Sequence, residues 1–191
     1  LHYPQGSDRT CLQFAEKHRS GNPHASSELS YEVISQKKSM IAGVFIPLGT
    51  KIETVVLFRN YDPGFVARYN TAFGQNGQNE RGLYTGLKYI FNRRLWISAF
   101  QDMYVQPWLQ YTTDGPAYNA DAFVQIDKMF TKKSGAYFRV RQVHSVENDV
   151  AETPVQQLYN RNTTQLRLHI KNEITSALQL EVRAERNLVD R

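Results

Sequence analysis

The chain has 191 residues, of which 41% are hydrophobic, and its 23 Lys and Arg against 18 Asp and Glu give a formal net charge of +5. About a quarter of the residues are Leu, Ile, Val or Phe, above the roughly 20% below which disorder is expected, so the chain should fold. A membrane-spanning helix needs about 20 consecutive apolar residues, and every apolar run in this sequence is much shorter. The basic residues are scattered rather than gathered in a tail, so this sequence supports no nucleic-acid partner.

Residues 1–27 and 28–191 differ in their patterns. We expect the first range to be an irregular N-terminal segment or the remnant of a preceding strand, and the second to be a β-barrel segment. From about residue 28 onward the dominant period is two, which separates apolar from polar side chains on a strand but would mix them around a helix. The strongest patterns predict strands over 40–46, 52–58, 83–91, 95–105, 121–130, 136–141, 164–171 and 176–185.

Strand length and the lengths of the connections favour a membrane barrel. We count about nine strands, most of them about 8–12 residues long, whereas soluble strands usually have about 5–6 residues and membrane-crossing strands about 9–11. Short turns alternate with long loops, which is typical of a chain that threads repeatedly through a bilayer. One connection, 36–38, is short although it lies on the side of the long loops. The short turns are 47–50, 92–93, 131–134 and 172–175, and the long loops are 60–80, 106–117 and 145–160.

The alternation alone does not distinguish a soluble sheet, whose apolar face points inward, from a barrel whose apolar face meets lipid. Aromatic residues near strand ends favour the barrel, because membrane barrels carry aromatic girdles, although aromatics are also common in ordinary sheets. We therefore predict an all-β fold, an antiparallel up-and-down transmembrane β-barrel of which this chain forms a part. The aromatic residues in question are Tyr89, Phe91, Tyr104, Trp108, Tyr111, Tyr118 and Phe130.

No pattern of residues predicts catalysis or a cofactor. The sequence lacks the motifs of serine hydrolases, zinc peptidases and phosphate-binding loops, and we expect the glycine-rich run 74–82 to form turns. Cys11 is the single cysteine and has no partner for an internal disulfide, and the five histidines lack the spacing of metal ligands. We expect no enzymatic activity, no cofactor and no metal site. A barrel enzyme that acts on lipid would need a Ser/His/acid cluster that the sequence does not offer.

The polar positions of the predicted strands share one face, which in a barrel would line the interior. Such a face is either a charged lumen tuned for a solute or a structural network that braces the interior. The lumen-facing candidates are Lys88, Asp102, Asp121, Gln125, Asp127, Arg139, Arg141, Arg167, His169, Lys171, Glu181 and Arg183.

The loop 60–80 carries more apolar residues than a loop in water should. Its Asp62-Pro63-Gly64 segment suits a tight turn, because Pro presets φ and Gly tolerates a positive φ. We expect the apolar residues that follow to pack over or into the barrel mouth as a partial lid or constriction. The lid candidates are Asp62, Pro63, Gly64, Phe65, Tyr69 and Phe73.

Four ordered segments carry a family resemblance. They are Phe58-Arg59-Asn60-Tyr61-Asp62-Pro63-Gly64, Asn70-Thr71-Ala72-Phe73-Gly74, Asn79-Glu80-Arg81-Gly82-Leu83-Tyr84-Thr85-Gly86-Leu87, and Pro107-Trp108-Leu109-Gln110-Tyr111 with Asp114-Gly115-Pro116. In this order and spacing they resemble the barrel portion of large outer-membrane proteins of Bacteroidota whose N-terminal portion carries helix-hairpin-helix modules. The likeness covers about residues 28–171 and implies a middle section of such a protein. The helix-hairpin-helix part is absent from these residues, so a DNA-related role has no support here.

We expect a segment of a bacterial outer-membrane β-barrel with a role in transport or passage across the envelope, the small solute being unidentified. Its partners would be outer-membrane lipid and the remaining strands of the full-length chain, because about nine strands is an odd number and bacterial barrels usually have an even one. The alternative is a soluble, secreted all-β binding module whose polar face is in water.

Overall fold

The structure is one antiparallel β-sheet of ten strands. Each strand pairs with the next along the chain, so the sheet is an up-and-down meander from β1 to β10. The computed structural model describes residues 9–15, 24–32, 37–65, 73–74, 78–110, 113–148, 157–175 and 178–190. The strands are β1 (Arg9–Ala15), β2 (His24–Glu32), β3 (Lys37–Leu48), β4 (Ile52–Tyr61), β5 (Glu80–Asn92), β6 (Leu95–Gln106), β7 (Ala117–Met129), β8 (Gly135–Asn148), β9 (Leu158–Thr175) and β10 (Leu178–Asp190).

The predicted all-β class and up-and-down connectivity are confirmed. The strand count is ten rather than about nine, because the described part of residues 1–27 contributes β1 and the start of β2 to the same sheet. β1 has only seven residues and alternates only around Leu12 and Phe14, and the start of β2 is small or polar at successive positions, so neither gave a clear two-residue pattern. Among the described residues β1 pairs only with β2 and β10 only with β9. The sheet therefore has two open edges, and closure into a barrel stays a prediction.

The connections alternate in length as predicted. At one end of the sheet they are short from β3 onward, namely 49–51, 93–94, 130–134 and 176–177, whereas the connection 16–23 between β1 and β2 at that end has eight residues. At the other end they are long, namely 62–79, 107–116 and 149–157, and only 33–36 is short there. The strands β5 to β10 have 12 to 18 residues each, longer than expected, because their backbone pairing continues into parts of the predicted loops.

The pairing register divides the side chains between two faces, since directly opposite residues point the same way. Tyr84, Asp102 and Asp121 stand opposite one another across β5, β6 and β7, as do Leu87 and Ala99 on the other side of the sheet. We call the first side the polar face and the second the apolar face. From β5 to β10 the polar face holds most of the charged residues, and the apolar face holds most of the large aliphatic ones.

Burial is inverted relative to a sheet folded in water. On the polar face Glu80, Asp102 and Asp121 are buried, whereas Val124 and Leu180 on the apolar face are 50% and 52% exposed. Long charged side chains and the loop after β4 cover the polar face. The apolar face has no second layer over it, because all described strands belong to the one sheet.

The exposure of the leucines on β9 and β10 can be compared with the burial that a soluble two-layer sandwich would require. In two stacked sheets these leucines would be sealed from solvent, yet Leu168 and Leu178 are 44% and 55% exposed and Leu166 is only partly buried. In the part of the chain that is described, no helix is long and apolar enough to cross a membrane.

Aromatic side chains mark both ends of the apolar face. Tyr118 lies near the long loops and Phe130 near the short turns, and both are exposed. Tyr104 differs from this pattern, because it lies on the polar face with its ring 5.4 Å from Arg59 Cζ. Tyr111 lies outside the described residues.

Candidate functional site on the polar face

The most deeply buried polar group of the sheet is an arginine near the end of β4. Arg59 is fully buried together with Glu80, the first residue of β5. Its Nε donates a hydrogen bond to Glu80, and its Nη1 and Nη2 donate to the two carboxylate oxygens of Asp102 at 2.7 Å and 3.1 Å. The guanidinium therefore joins β4, β5 and β6 through charge-assisted hydrogen bonds. We call these three residues the arginine bridge.

Two glycines make room for the arginine bridge. Gly82 lies directly opposite Arg59, and a Cβ there would come within 2.7 Å of the guanidinium carbon. Gly74, in the loop after β4, has a φ of +130°, and a Cβ on it would come within 2.9 Å of Arg59 Nε. A side chain at either position would displace the guanidinium, so the bridge depends on glycine in two separate elements.

The loop between β4 and β5 folds over this end of the polar face. The Phe73 ring lies 5.5 Å from Arg59 Cζ and packs edge-on against Tyr84, with ring centroids 5.4 Å apart. The Phe73 carbonyl accepts a hydrogen bond from the Tyr61 hydroxyl at 3.0 Å. Phe65 is buried and stacks on the Tyr61 ring at 6.4 Å. Two of the three described parts of the loop, 62–65 and 73–74, are therefore attached to the polar face.

The Asp62-Pro63-Gly64 turn anchors the start of this loop. The backbone nitrogen of Asp62 donates to the Lys38 carbonyl at 3.0 Å, and its Oδ2 accepts from the Lys38 backbone nitrogen at 3.0 Å. Gly64 has the positive φ, +78°, that the turn requires. Of the lid candidates, Tyr69 lies outside the described residues, and a lid function for the others stays a prediction.

A second network joins β7 and β8. Arg141 donates from Nε and Nη2 to the two carboxylate oxygens of the buried Asp121, at 2.8 Å and 2.5 Å. Nearer the short turns, Arg139 Nε donates to Gln125 Oε1 at 2.6 Å, and Gln125 Nε2 donates to Asp127 Oδ1 at 2.7 Å. A neutral amide therefore stands between this cation and this anion.

A third network joins β9 and β10. Glu185 accepts hydrogen bonds from Arg167 Nε at 3.0 Å and from Arg183 Nη2 at 2.5 Å. His169 Nε2 and Glu181 Oε1 lie 2.6 Å apart. Because β10 is exposed along its length, these pairs are partly in water, which weakens their attraction.

One carboxylate at the long-loop end of β8 has a shifted pKa. Glu147 lies beyond Gln142, a polar residue at which the apolar stripe of β8 ends. Burial raises the pKa of Glu147, but hydrogen bonds from Tyr159 and Ser145 and the charge of Arg161 outweigh it and hold the pKa below its usual range. Because the folded-state pKa is lowered, this interaction stabilises the sheet at neutral pH, and the stabilisation is lost as the pH falls through that pKa.

The register places all twelve lumen-facing candidates on the polar face. Ten of them take part in the arginine bridge or in the other two networks. Lys88 forms a half-exposed ion pair with Glu53 at 3.6 Å, and Lys171 forms no ion pair with a described residue. That this face lines a lumen stays a prediction.

Sequence analysis missed the two most buried charges of the polar face. The run 52–58 is apolar at successive positions, so alternation assigns no face to Arg59, and Glu80 falls within the predicted loop 60–80. One signal was present: the two-residue steps of β5, followed backward from Lys88, end on Glu80 and place it on the same face.

The comparisons with known proteins leave this site without a precedent. No protein-family model, curated protein or solved structure matches the chain, so the resemblance to Bacteroidota outer-membrane proteins stays a prediction. Within the described ranges no three His, Cys, Asp or Glu side chains are placed to hold a metal ion. The polar face offers paired charges, amides and aromatic rings, which suit contact with water and polar solutes.

We predict that Arg59→Leu strongly destabilises the sheet. The substitution leaves Glu80 and Asp102 buried without their cation, and breaking a buried ion pair from one side typically costs about 3–5 kcal/mol. The free energy of unfolding, measured by urea titration, should fall by that amount. Replacing all three residues by Leu should recover much of the loss, because no buried charge is then unpaired.

The variant Gly82→Ala tests the close packing around the guanidinium of Arg59 without removing any charge. Its Cβ would push the guanidinium of Arg59 aside, and overpacking of this kind costs about 1–3 kcal/mol. Gly43→Ala is the control on the same face, since its nearest heavy atoms would lie at ordinary contact distances of 3.5 Å and 3.6 Å. Equal stability of the two variants would contradict the close fit around the arginine bridge.

Proposed function

We propose that the chain forms part of the wall of a transmembrane β-barrel in a bacterial outer membrane, and that it serves the passage of a small solute across the envelope. The observation that carries the proposal is the inverted burial, in which Arg59 and Glu80 are fully buried while Val124 and Leu180 are half exposed. A protein folded in water places such residues the other way round. Lipid around the sheet and water inside the barrel would account for both faces.

The exposed apolar surface is continuous over the sheet. Each strand from β5 to β9 contributes a large apolar side chain that is at least 39% exposed, and a monomeric soluble protein rarely leaves so extended a patch uncovered. This continuity supports contact with lipid rather than with a compact protein partner. The five residues are Leu87, Met103, Val124, Phe138 and Leu168.

The dimensions of the apolar face fit a bilayer. Tyr118 and Phe130, the exposed aromatics at the two ends of β7, are twelve positions apart in the sequence. Twelve residues of strand extend about 40 Å, which corresponds to about 28 Å across the membrane at a strand tilt of about 45°. The hydrocarbon core of a bilayer is about 30 Å thick.

The open edges of the sheet support further strands as partners. β10 is exposed along its whole length, and it alternates Leu178, Leu180 and Val182 with polar residues in the same sense as β9. An unpaired edge attracts other strands in water, and it is more costly in lipid, where its backbone groups have no water to bind. Strands from the remainder of the full-length chain would satisfy these groups and close the barrel.

Membrane fractionation and reconstitution test the proposal. The protein expressed from its complete gene should fractionate with the outer membrane, need detergent to stay dispersed, and change its gel migration on heating. In phospholipid vesicles it should allow entrapped glucose to leak out. A monomer that stays dispersed in buffer without detergent would instead support the soluble binding module.

We predict that Val124→Arg destabilises the protein in lipid. Val124 lies midway along the apolar face of β7, and an arginine at the bilayer midplane of a barrel costs about 2–4 kcal/mol. On a soluble sheet the same exposed position should tolerate the change to within about 0.5 kcal/mol. Urea unfolding of the variant in vesicles measures the difference.

Ala136→Arg is the depth control for this experiment. Ala136 lies on the apolar face near the short turns, directly opposite Lys128, which already places a cation at that level. A barrel charge near the interface costs about 0–1 kcal/mol, so this variant should remain close to the wild type. Equal effects of the two substitutions would argue against a membrane across the middle of the sheet.

We predict that deleting residues 65–73 speeds the leak of glucose from vesicles. Phe65 and Phe73 lie over the long-loop end of the polar face, where they would narrow a passage along it. Deletion of the nine residues 149–157 from another long loop controls for loop shortening itself. An unchanged leak rate with an unchanged stability would rule out the lid.

A further inference from the structure

The arginines of the polar face are paired with carboxylates, with one exception among the described residues. Arg139, on β8, forms no ion pair within 4.0 Å, and its Nε donates to the neutral side chain of Gln125. The five paired arginines are Arg59, Arg141, Arg161, Arg167 and Arg183.

Gln125 links Arg139 to Asp127 through its side-chain amide. Its Oε1 accepts from Arg139 at 2.6 Å, while its Nε2 donates to Asp127 Oδ1 at 2.7 Å. The other carboxylate oxygen of Asp127 is buried without a hydrogen-bond partner. The amide thus separates the two charges, and each keeps unused bonding capacity.

Aromatic rings hold the guanidinium of Arg139 without using its donors. Arg139 Cζ lies 4.8 Å from the ring centroid of Phe123 and 5.4 Å from that of Tyr137, which are cation–π distances. These contacts involve no N–H group, so the Nη groups of a partly exposed side chain remain available. A guanidinium held in this way is preorganised for planar, bidentate hydrogen bonding to a carboxylate or phosphate.

A second guanidinium stands directly across from the first. Arg167 is the cross-strand partner of Arg139 in the β8–β9 pairing, and like charges directly opposite one another destabilise a sheet. Arg167 is bound to Glu185 through its Nε. An anion seated beside Arg139 would relieve the remaining repulsion between the two cations.

We propose that Arg139, with Arg167 opposite, forms a binding site for the carboxylate or phosphate group of a small solute. The inference rests on the proposed function, because a solute must reach the polar face. Phe123 continues the site into a row of rings, with its centroid 4.2 Å from that of Phe100, which lies 5.4 Å from Tyr84. This row offers an apolar surface beside the charge and suits a solute that joins an anionic group to an apolar body.

Block of ion conductance tests the site. With the protein in planar bilayers in potassium chloride, inorganic phosphate, acetate and benzoate are added separately, and the concentration that halves the conductance is measured. Arg139→Gln should raise that concentration about tenfold or more, because it removes the two charge-assisted hydrogen bonds that the guanidinium would donate to the anion. Stronger block by phosphate would indicate a phosphorylated solute, and stronger block by benzoate an apolar carboxylate.

The matched control removes a compensated pair from the same strands. The double variant Asp121→Asn/Arg141→Gln removes one cation and one anion together and so keeps the net charge of the polar face. Its half-blocking concentrations should lie within about twofold of those of the wild type. If the double variant raised the half-blocking concentration as much as Arg139→Gln does, the assignment of the site to Arg139 would be overturned. An unchanged half-blocking concentration in Arg139→Gln would overturn it too.

Calorimetry separates a failure of this site from a failure of the proposed function. The three anions are titrated into the detergent-dispersed protein, where binding is measured whether or not the protein conducts. Saturable heat that Arg139→Gln abolishes supports the site even if no conductance is found. If the wild type conducts ions but binds none of the three anions, the proposed site is wrong, while the proposed barrel is still supported.

Discussion

Charge pairing across neighbouring strands is the interaction on which the rest of this structure depends. Arg59, Glu80, Asp102 and Asp121 are buried on the polar face, and burial of unpaired charges would cost several kcal/mol each. Arg59 meets this constraint by joining β4, β5 and β6 through Glu80 and Asp102. The positions of Gly82 and Gly74 follow from it, because only glycine leaves room for the guanidinium.

The same pairing connects the structural and functional interpretations of the polar face. Sequence analysis left open a bracing network and a lumen tuned for a solute. The structure shows a network of ion pairs that braces the strands, whereas the binding of a solute stays our proposal. The paired arginines brace the strands, whereas Arg139 contacts Gln125 and two aromatic rings, and its Nη groups form no hydrogen bond with another described residue.

Much of the fold could be predicted because a strand has a period of two and most of these strands are long. Alternation located the strands from β3 onward and assigned all twelve polar candidates to one face. It did not detect β1, which has only seven residues, or the small and polar start of β2, and it failed at strand ends, where pairing extends into predicted loops. Arg59 and Glu80 were missed for the same reasons, since one follows a run without alternation and the other lies in a predicted loop.

The sequence by itself determined which residues share a face and in what order the strands follow, because both depend on local periodicity and on the lengths of the connections. Only the tertiary structure decided which charges meet. That choice depends on the register between strands, as when Arg139 falls opposite Gln125 and Arg167 rather than opposite an acid. It depends also on a loop that returns over the sheet to place Phe73 and Gly74 against Arg59. Contacts between residues far apart in the chain carry no periodic signal, so no pattern along the sequence could reveal them.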